Sequence, residues 1–175
     1  FAERYRKIVN GLIRATPSLL TNGSFAPLAR FPRYLDFDNK RVWFRQQLHR
    51  RTAARETHSQ PLQLNIRRAE IFDDSYRQLA TRPADEFKYG KIAVRFHGED
   101  GVDAGGVTRE WFGELSRAIF NPDYALFRTT AADKITYQPN RMSYVNPDHL
   151  LYFRFVGRII GKAIYDNRLL DCYFA

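Results

Sequence analysis

A chain of 175 residues, 44% hydrophobic and 15% aromatic, carries enough apolar surface for one packed domain or part of a larger one, which excludes a disordered segment. No stretch reaches the roughly 20 uninterrupted apolar residues that span a bilayer, and Phe1-Ala2-Glu3-Arg4 lacks the basic-then-apolar order of a secretory signal. The net charge of +9 is lopsided, with 14 Lys/Arg against 4 Asp/Glu in residues 1–68 and 14 against 15 in residues 69–175, and a single cysteine excludes an internal disulfide framework. The expected setting is therefore the cytoplasm and/or nucleus, with no membrane partner.

Residues 2–15 read as a helix in which Tyr5, Ile8, Val9, Leu12 and Ile13 follow helical spacing, with Glu3, Arg4, Arg6, Lys7, Asn10 and Arg14 elsewhere. Pro17 and Asn22-Gly23 punctuate the next stretch, and Ser24 is the expected cap of a short helix around Pro27 to Ala29. A longer helix is predicted from about Asp38 to Ala53, capped by Asp36 or Asp38, with Val42, Phe44, Gln47 and Leu48 along it; a polar loop at 54–61 follows. Leu62 to Arg67 alternates with period two, as a half-buried strand does. Asp73 or Asp74 is expected to open a helix carrying Tyr76 and Leu79 that stops at Pro83, and Lys91 to Phe96 alternates again.

The helix predicted from Gly106 to Phe120 turns Val107, Trp111, Leu115, Ala118 and Ile119 inward, with Asp103 near its positive end. Tyr124 to Arg128 and Lys134 to Gln138 are expected to pair as short strands, and 139–147 to form a loop. Asn146 and Pro147 are the expected cap and first residue of the last helix, Asp148 to Asp166, whose apolar side is Leu151, Phe155, Val156, Ile159, Ile160, Ala163 and Ile164. On that helix Arg154, Arg158 and Lys162 share one face, and Gly157 and Gly161 share another that would admit a neighbouring helix. The predicted class is α+β, predominantly helical with short strands.

No constellation completes an active site. Gly105-Gly106-Val107-Thr108 lacks the lysine of a phosphate-cradling loop, and the acidic group Glu99, Asp100 and Asp103 reads as a solvated turn. The four histidines are scattered without a metal-ligand spacing, and Cys172 lies in an apolar run and reads as a small buried hydrophobe. No catalytic residue, metal site or cofactor is expected. Tyr124 follows a helix stop, where loops display binding groups; the alternative is that it packs on the Trp111 helix. The basic first 68 residues suit nucleic acid or an acidic protein surface. Their Arg/Lys are interspersed with core positions and not clustered with stacking aromatics, which argues against nucleic acid as a partner.

Gly98-Glu99-Asp100-Gly101-Val102-Asp103-Ala104-Gly105-Gly106-Val107-Thr108-Arg109-Glu110-Trp111 resembles the signature of HECT-type ubiquitin-protein ligases, in their N-terminal lobe. Phe120-Asn121-Pro122, Tyr124-Ala125-Leu126-Phe127, Asn146-Pro147-Asp148-His149-Leu150 and the helix through Gly157-Arg158 follow in family order. Leu35 to Arg41 resembles the helix that opens the HECT domain, which implies a division into 1–34, a preceding helical segment, and 35–175, the first part of an incomplete N-lobe. With Arg67-Arg68 and Phe72 to Tyr76, it points to the very large ligases bearing UBA and WWE domains, and their fungal relatives.

The resemblance implies transfer of ubiquitin, through a cysteine thioester, to lysines of protein substrates. That cysteine belongs to a separate C-terminal lobe, Cys172 matches no catalytic position, and the subdomain that receives the ubiquitin-conjugating enzyme lies beyond this segment. The fragment is therefore expected to be inert alone. Tyr124 corresponds to an aromatic position of a non-covalent ubiquitin-binding surface; Thr129 stands where other branches often have tyrosine. The face of Ile8, Val9, Leu12 and Ile13 is expected to regulate the lobe by packing on it or on a second copy, giving a homodimer.

Overall fold

Apolar spacing in the first fifteen residues produces a helix, α1 (Arg6–Ala15), that starts at Arg6 and not at residue 2. A computed structural model describes residues 1–50, 59–99 and 105–175. By packing, the chain divides into two units, Phe1–Ala54 and Arg55–Ala175. This break falls later than the 34/35 division, which concerns likeness and not packing.

In the first unit α1 buries Val9, Asn10 and Ile13, so Asn10 leaves the polar face on which its residue type placed it. The cause is hydrogen bonding. Asn10 Nδ2 donates to the carbonyls of Arg6 and Tyr34 (2.9 and 2.8 Å), and its Oδ1 accepts from the Asp36 amide (2.7 Å). Asn39 Nδ2 donates to both Asn10 O and Asn10 Oδ1 (3.0 and 2.9 Å). A buried amide with its bonds made avoids the cost of an orphaned polar group.

After the single turn α2 (Ser18–Thr21), the segment around Pro27 is a 3-10 turn, Ala26–Arg30, with Phe25 and not Ser24 in the cap position. The next helix, α3 (Phe37–His49), begins after Asp36, whose side chain makes no cap bond. That carboxylate instead faces Arg6 and Arg14, at 3.2 and 3.9 Å. Val42 and Phe44 are exposed, and Asn39 and Trp43, one turn apart, are the inward residues. Residues 51–53 of the predicted helix and 54–58 of the predicted loop lie outside the described residues.

In the second unit β1 (Leu62–Ile66) and β2 (Ile92–Phe96) pair in parallel, in the register Leu62↔Ile92 through Ile66↔Phe96. Parallel pairing requires a crossover, and this one holds two helices, α4 (Ile71–Leu79) and α5 (Ala84–Tyr89). The second of these has no counterpart in the sequence reading, because Pro83 is not only a stop but the residue preceding a new first turn. Asp73 and Asp74 do not open α4; Glu70 stands at that position. Asp74 faces β1, accepting the Arg67 amide (2.9 Å) and its guanidinium (2.7 Å), and these hydrogen bonds hold its carboxyl below the usual range.

Helix α6 (Gly106–Ile119) starts from Gly105 at φ +99°, a left-handed conformation that glycine adopts without strain. Its inward residues include Trp111, Phe112, Leu115 and Ile119, and buried Trp111 Nε1 donates to buried Ser75 Oγ on α4 at 2.9 Å. Phe112 was not anticipated, and Asp103 lies outside the described residues. The expected antiparallel pairing forms, with Thr129 opposite Tyr137, but both strands are shorter and start three residues later than predicted. Strand β3 is Phe127–Thr129, because Pro122–Tyr124 is a 3-10 turn, and β4 is Tyr137–Pro139, because Asp133 draws the amides of Ile135 and Thr136 into the turn. Backbone bonds from Tyr137 N to Tyr173 O (2.6 Å) and from Ala175 N to Tyr137 O (3.0 Å) lay the last residues beside β4.

The last helix, α7 (His149–Tyr165), is preceded by Asp148 at the cap position; Asn146 Oδ1 accepts the Asp148 amide, so its bond closes the turn before the helix. Phe155, Val156, Ile159 and Ala163 join the core, while Leu151 and Ile164 are exposed. A Cβ added at Gly157 or Gly161 would meet nothing within 4 Å, so among the described residues these glycines seat no neighbouring helix. Arg158 and Lys162 bind backbone instead of solvent. Arg158 donates to Ala80 O and Arg82 O (3.3 and 2.6 Å), and Lys162 to Lys88 O and Gly90 O (2.9 and 2.8 Å), with Asp166 at 3.0 Å. No helix among the described residues is long and apolar enough to cross a membrane.

Lys162 is only 3% exposed, and removing it takes a buried donor from the carbonyls of Lys88 and Gly90 at the end of α5 and the 3.0 Å ion pair from Asp166. Lys162→Ala is expected to lower stability by about 3 kcal/mol in urea unfolding, and exposed Arg117→Ala by under about 1 kcal/mol. Equal midpoints for the two variants would refute this role.

Candidate functional site

Tyr124 ends a 3-10 turn, Pro122–Tyr124, formed because Pro122 presets its backbone and Asn121 Oδ1 accepts the Asp123 amide (3.1 Å). Ala125 at φ 55° turns the chain away, and Asn140 Nδ2 donates to its carbonyl at 3.0 Å. The half-buried Tyr124 ring packs at 4.3 Å on Phe72 of α4 and at 6.3 Å, edge-on, on Tyr152 of α7. Through these rings Tyr124 packs against the core cluster that also holds Trp111, Leu115 and Ile119. Phe72, Tyr76, Tyr152 and Phe155 continue as edge-to-face pairs between 4.8 and 5.7 Å, a geometry that fixes ring orientation.

The Tyr124 hydroxyl donates to Asp73 Oδ2 at 3.4 Å. Desolvation, reinforced by the Asp73 charge and this bond, pushes the phenol up to about 12. Tyr124 is therefore a neutral, oriented ring near neutral pH, suited to contact and hydrogen bonding and not to proton transfer. Asp73, Phe72 and Tyr152 were not singled out as site residues from the sequence. Asp73 is 51 positions from Tyr124, and no local spacing links them.

Thr129 closes β3 with its side chain exposed, and Asp133 orders the turn that follows by accepting from the amides of Ile135 and Thr136 (both 2.9 Å) and from the Thr130 hydroxyl (2.7 Å). Those bonds hold the Asp133 carboxyl far below the usual range. Exposed Met142, Tyr144 and Val145 lie on or beside the 3-10 turn Ser143–Val145, just before Asn146, whose Nδ2 approaches Tyr124 O at 3.5 Å.

The other predicted face divides. Val9 and Ile13, each 2% exposed, belong to the small core with Leu20 and Leu35, whereas Ile8 at 62% and Leu12 at 49% are open. Cys172 is half-buried, and burial followed by the nearby Asp171 charge pushes its thiol up to about 11. A reactive cysteine needs the opposite shift.

Compared with known proteins, residues 113–175 match the family model described as HECT-domain (ubiquitin-transferase). The chain is 54% identical over 175 residues to the E3 ubiquitin-protein ligase ptr1 of Schizosaccharomyces pombe, covering 100% of this chain and 5% of that protein. It is 49% identical over 175 residues to the E3 ubiquitin-protein ligase TOM1 of Saccharomyces cerevisiae, with the same coverage. To the E3 ubiquitin-protein ligase HUWE1 of Mus musculus it is 47% identical over 174 residues, covering 99% of this chain and 4% of that protein. The chain thus spans about a twentieth of the length of these relatives.

An ultraviolet difference titration of the wild type against Tyr124→Phe is expected to isolate one phenol titrating well above the ordinary tyrosine value of about 10. Asp73→Asn should bring it down, since a negative neighbour disfavours the phenolate. A Tyr124 that titrates with the ordinary tyrosines would remove the assigned contact.

Proposed function

Because the chain belongs to the HECT-domain family, we propose that it is the N-lobe scaffold portion of a ubiquitin-protein ligase that passes ubiquitin, through a cysteine thioester, to lysines of protein substrates. The observation that carries this is likeness along the whole chain to ligases roughly twenty times longer. The aromatic cluster around Tyr124 and the two-strand crossover support a scaffold role. Cys172, with its thiol pushed up, is not the transfer residue; that role belongs to another part of the longer protein, as does docking of the ubiquitin-conjugating enzyme. Cytoplasm and nucleus are where we place it.

Incubated with activating and conjugating enzymes, ATP and ubiquitin, the chain is expected to form no reducible adduct. A ubiquitin adduct that dithiothreitol releases and Cys172→Ser abolishes would overturn the scaffold reading.

A second reading, non-covalent ubiquitin binding, is favoured by the half-exposed Tyr124 ring held by Phe72 and Asp73. Thr129 supplies no second ring, so the affinity is expected to be weak. Amide shifts of labelled chain on adding ubiquitin should centre on 124–129 and vanish in Tyr124→Ala. Shifts that persist unchanged in that variant would place the contact elsewhere. Self-association, for its part, has Ile8 and Leu12 available and not Val9 and Ile13. Ile8→Asp with Leu12→Asp should reduce the sedimenting mass if α1 joins two copies; an unchanged mass rejects that contact.

A further inference from the structure

Between α7 and the turn joining α4 to α5 lies a groove of about 510 Å3. Tyr76, Ala80, Leu151 and Phe155 give it an apolar lining, and Arg82, Arg154 and Arg158 give it positive charge. The three guanidiniums are differently engaged. Arg158 is fixed, donating to Ala80 O and Arg82 O and lying 4.7 Å over the Phe87 ring. Arg82 holds Glu86 at 2.9 Å, and Glu86 is not among the lining residues. Arg154 is exposed and, among the described residues, has no carboxylate within ion-pair distance. Burial and the Arg154 charge both disfavour the charged form of Arg158, so a carboxylate placed between the two would relieve a repulsion as well as gain two attractions.

We propose that this groove docks an acidic protein segment, with an aliphatic side chain against Ala80, Leu151 and Phe155 and a neighbouring Asp or Glu carboxylate between Arg154 and Arg158. Charge complementarity selects the occupant. An apolar lining beside unpaired arginine suits alternating acidic and aliphatic residues. Nucleic acid fits less well, because the Tyr76 ring is already engaged edge-on with Tyr152 and Phe155 at 4.8 and 5.4 Å and offers no platform for a base. The inference is independent of the transfer reading and of Tyr124.

The test is fluorescence anisotropy of the whole chain with a short labelled peptide of alternating Glu and Leu, beside Lys-Leu and Glu-Ser versions. Arg154→Glu and Leu151→Asp are each expected to weaken binding of the Glu-Leu peptide at least about tenfold, the usual scale for reversing or burying a charge in an interface. Both positions are exposed, so the fold should persist. Arg128→Glu, an equal charge change at an exposed position on β3, should stay within about twofold. Equal weakening by Arg128→Glu would mean diffuse attraction to a basic chain and overturn the proposal. So would unchanged binding in Arg154→Glu, or Glu-Ser binding as tightly as Glu-Leu.

Discussion

Two parallel strands have two open edges, and a backbone group buried without a partner costs as much as a lost hydrogen bond. The second unit is built around meeting that demand. On the outer edge of β1, Gln78 uses both ends of its amide: Oε1 accepts from Asn65 N (3.1 Å) and Nε2 donates to Asn65 O (2.7 Å), as a third strand would. Asp74 takes the next outward amide, Arg67 N, at 2.9 Å. At β2 the buried Thr108 hydroxyl of α6 donates to Ile92 O at 3.3 Å. The helices therefore seal the sheet with side chains as well as covering it, and α4 must stand in one position for Gln78 and Asp74 to reach. That position also aims Phe72 and Asp73 at Tyr124.

The same economy governs the long final helix. Its basic residues share one face in sequence, and two of them, Arg158 and Lys162, reach carbonyls at the ends of α4 and α5, where unpaired acceptors and the negative end of the dipole gather. Charge here is spent on holding backbone. Arg154, one turn earlier, has no comparable task among the described residues.

The periodic elements were readable from the chain: both five-residue strands, α6 and α7 follow from spacing, whereas the short hairpin was legible as a pairing but not in its bounds. What escaped was set by partners distant in sequence. Asn10 and Thr108 are polar residues that local rules place outside, and each is buried because of a carbonyl or amide elsewhere in the fold. Asp73 and Asp74 looked like helix caps because aspartate favours that role, but tertiary demand took both. The exclusion of Val9 and Ile13 from any outward surface could not be seen either, since a five-residue apolar stripe does not reveal which half meets a core and which stays open. Tyr124 was identified by resemblance and position, and its supports Phe72 and Tyr152 only by folding.

The Asn10 hub bears on which changes the first unit can absorb over time. A core of Val9, Ile13, Leu20 and Leu35 is small, and volume-conserving exchanges among such residues are tolerated well. Position 10 has no such latitude. Aspartate cannot donate to Arg6 O and Tyr34 O, leucine can neither donate nor accept, and glutamine moves the amide out by one methylene. The greasy part of this unit is free to drift, while a single carboxamide stays frozen as the keystone of three segments.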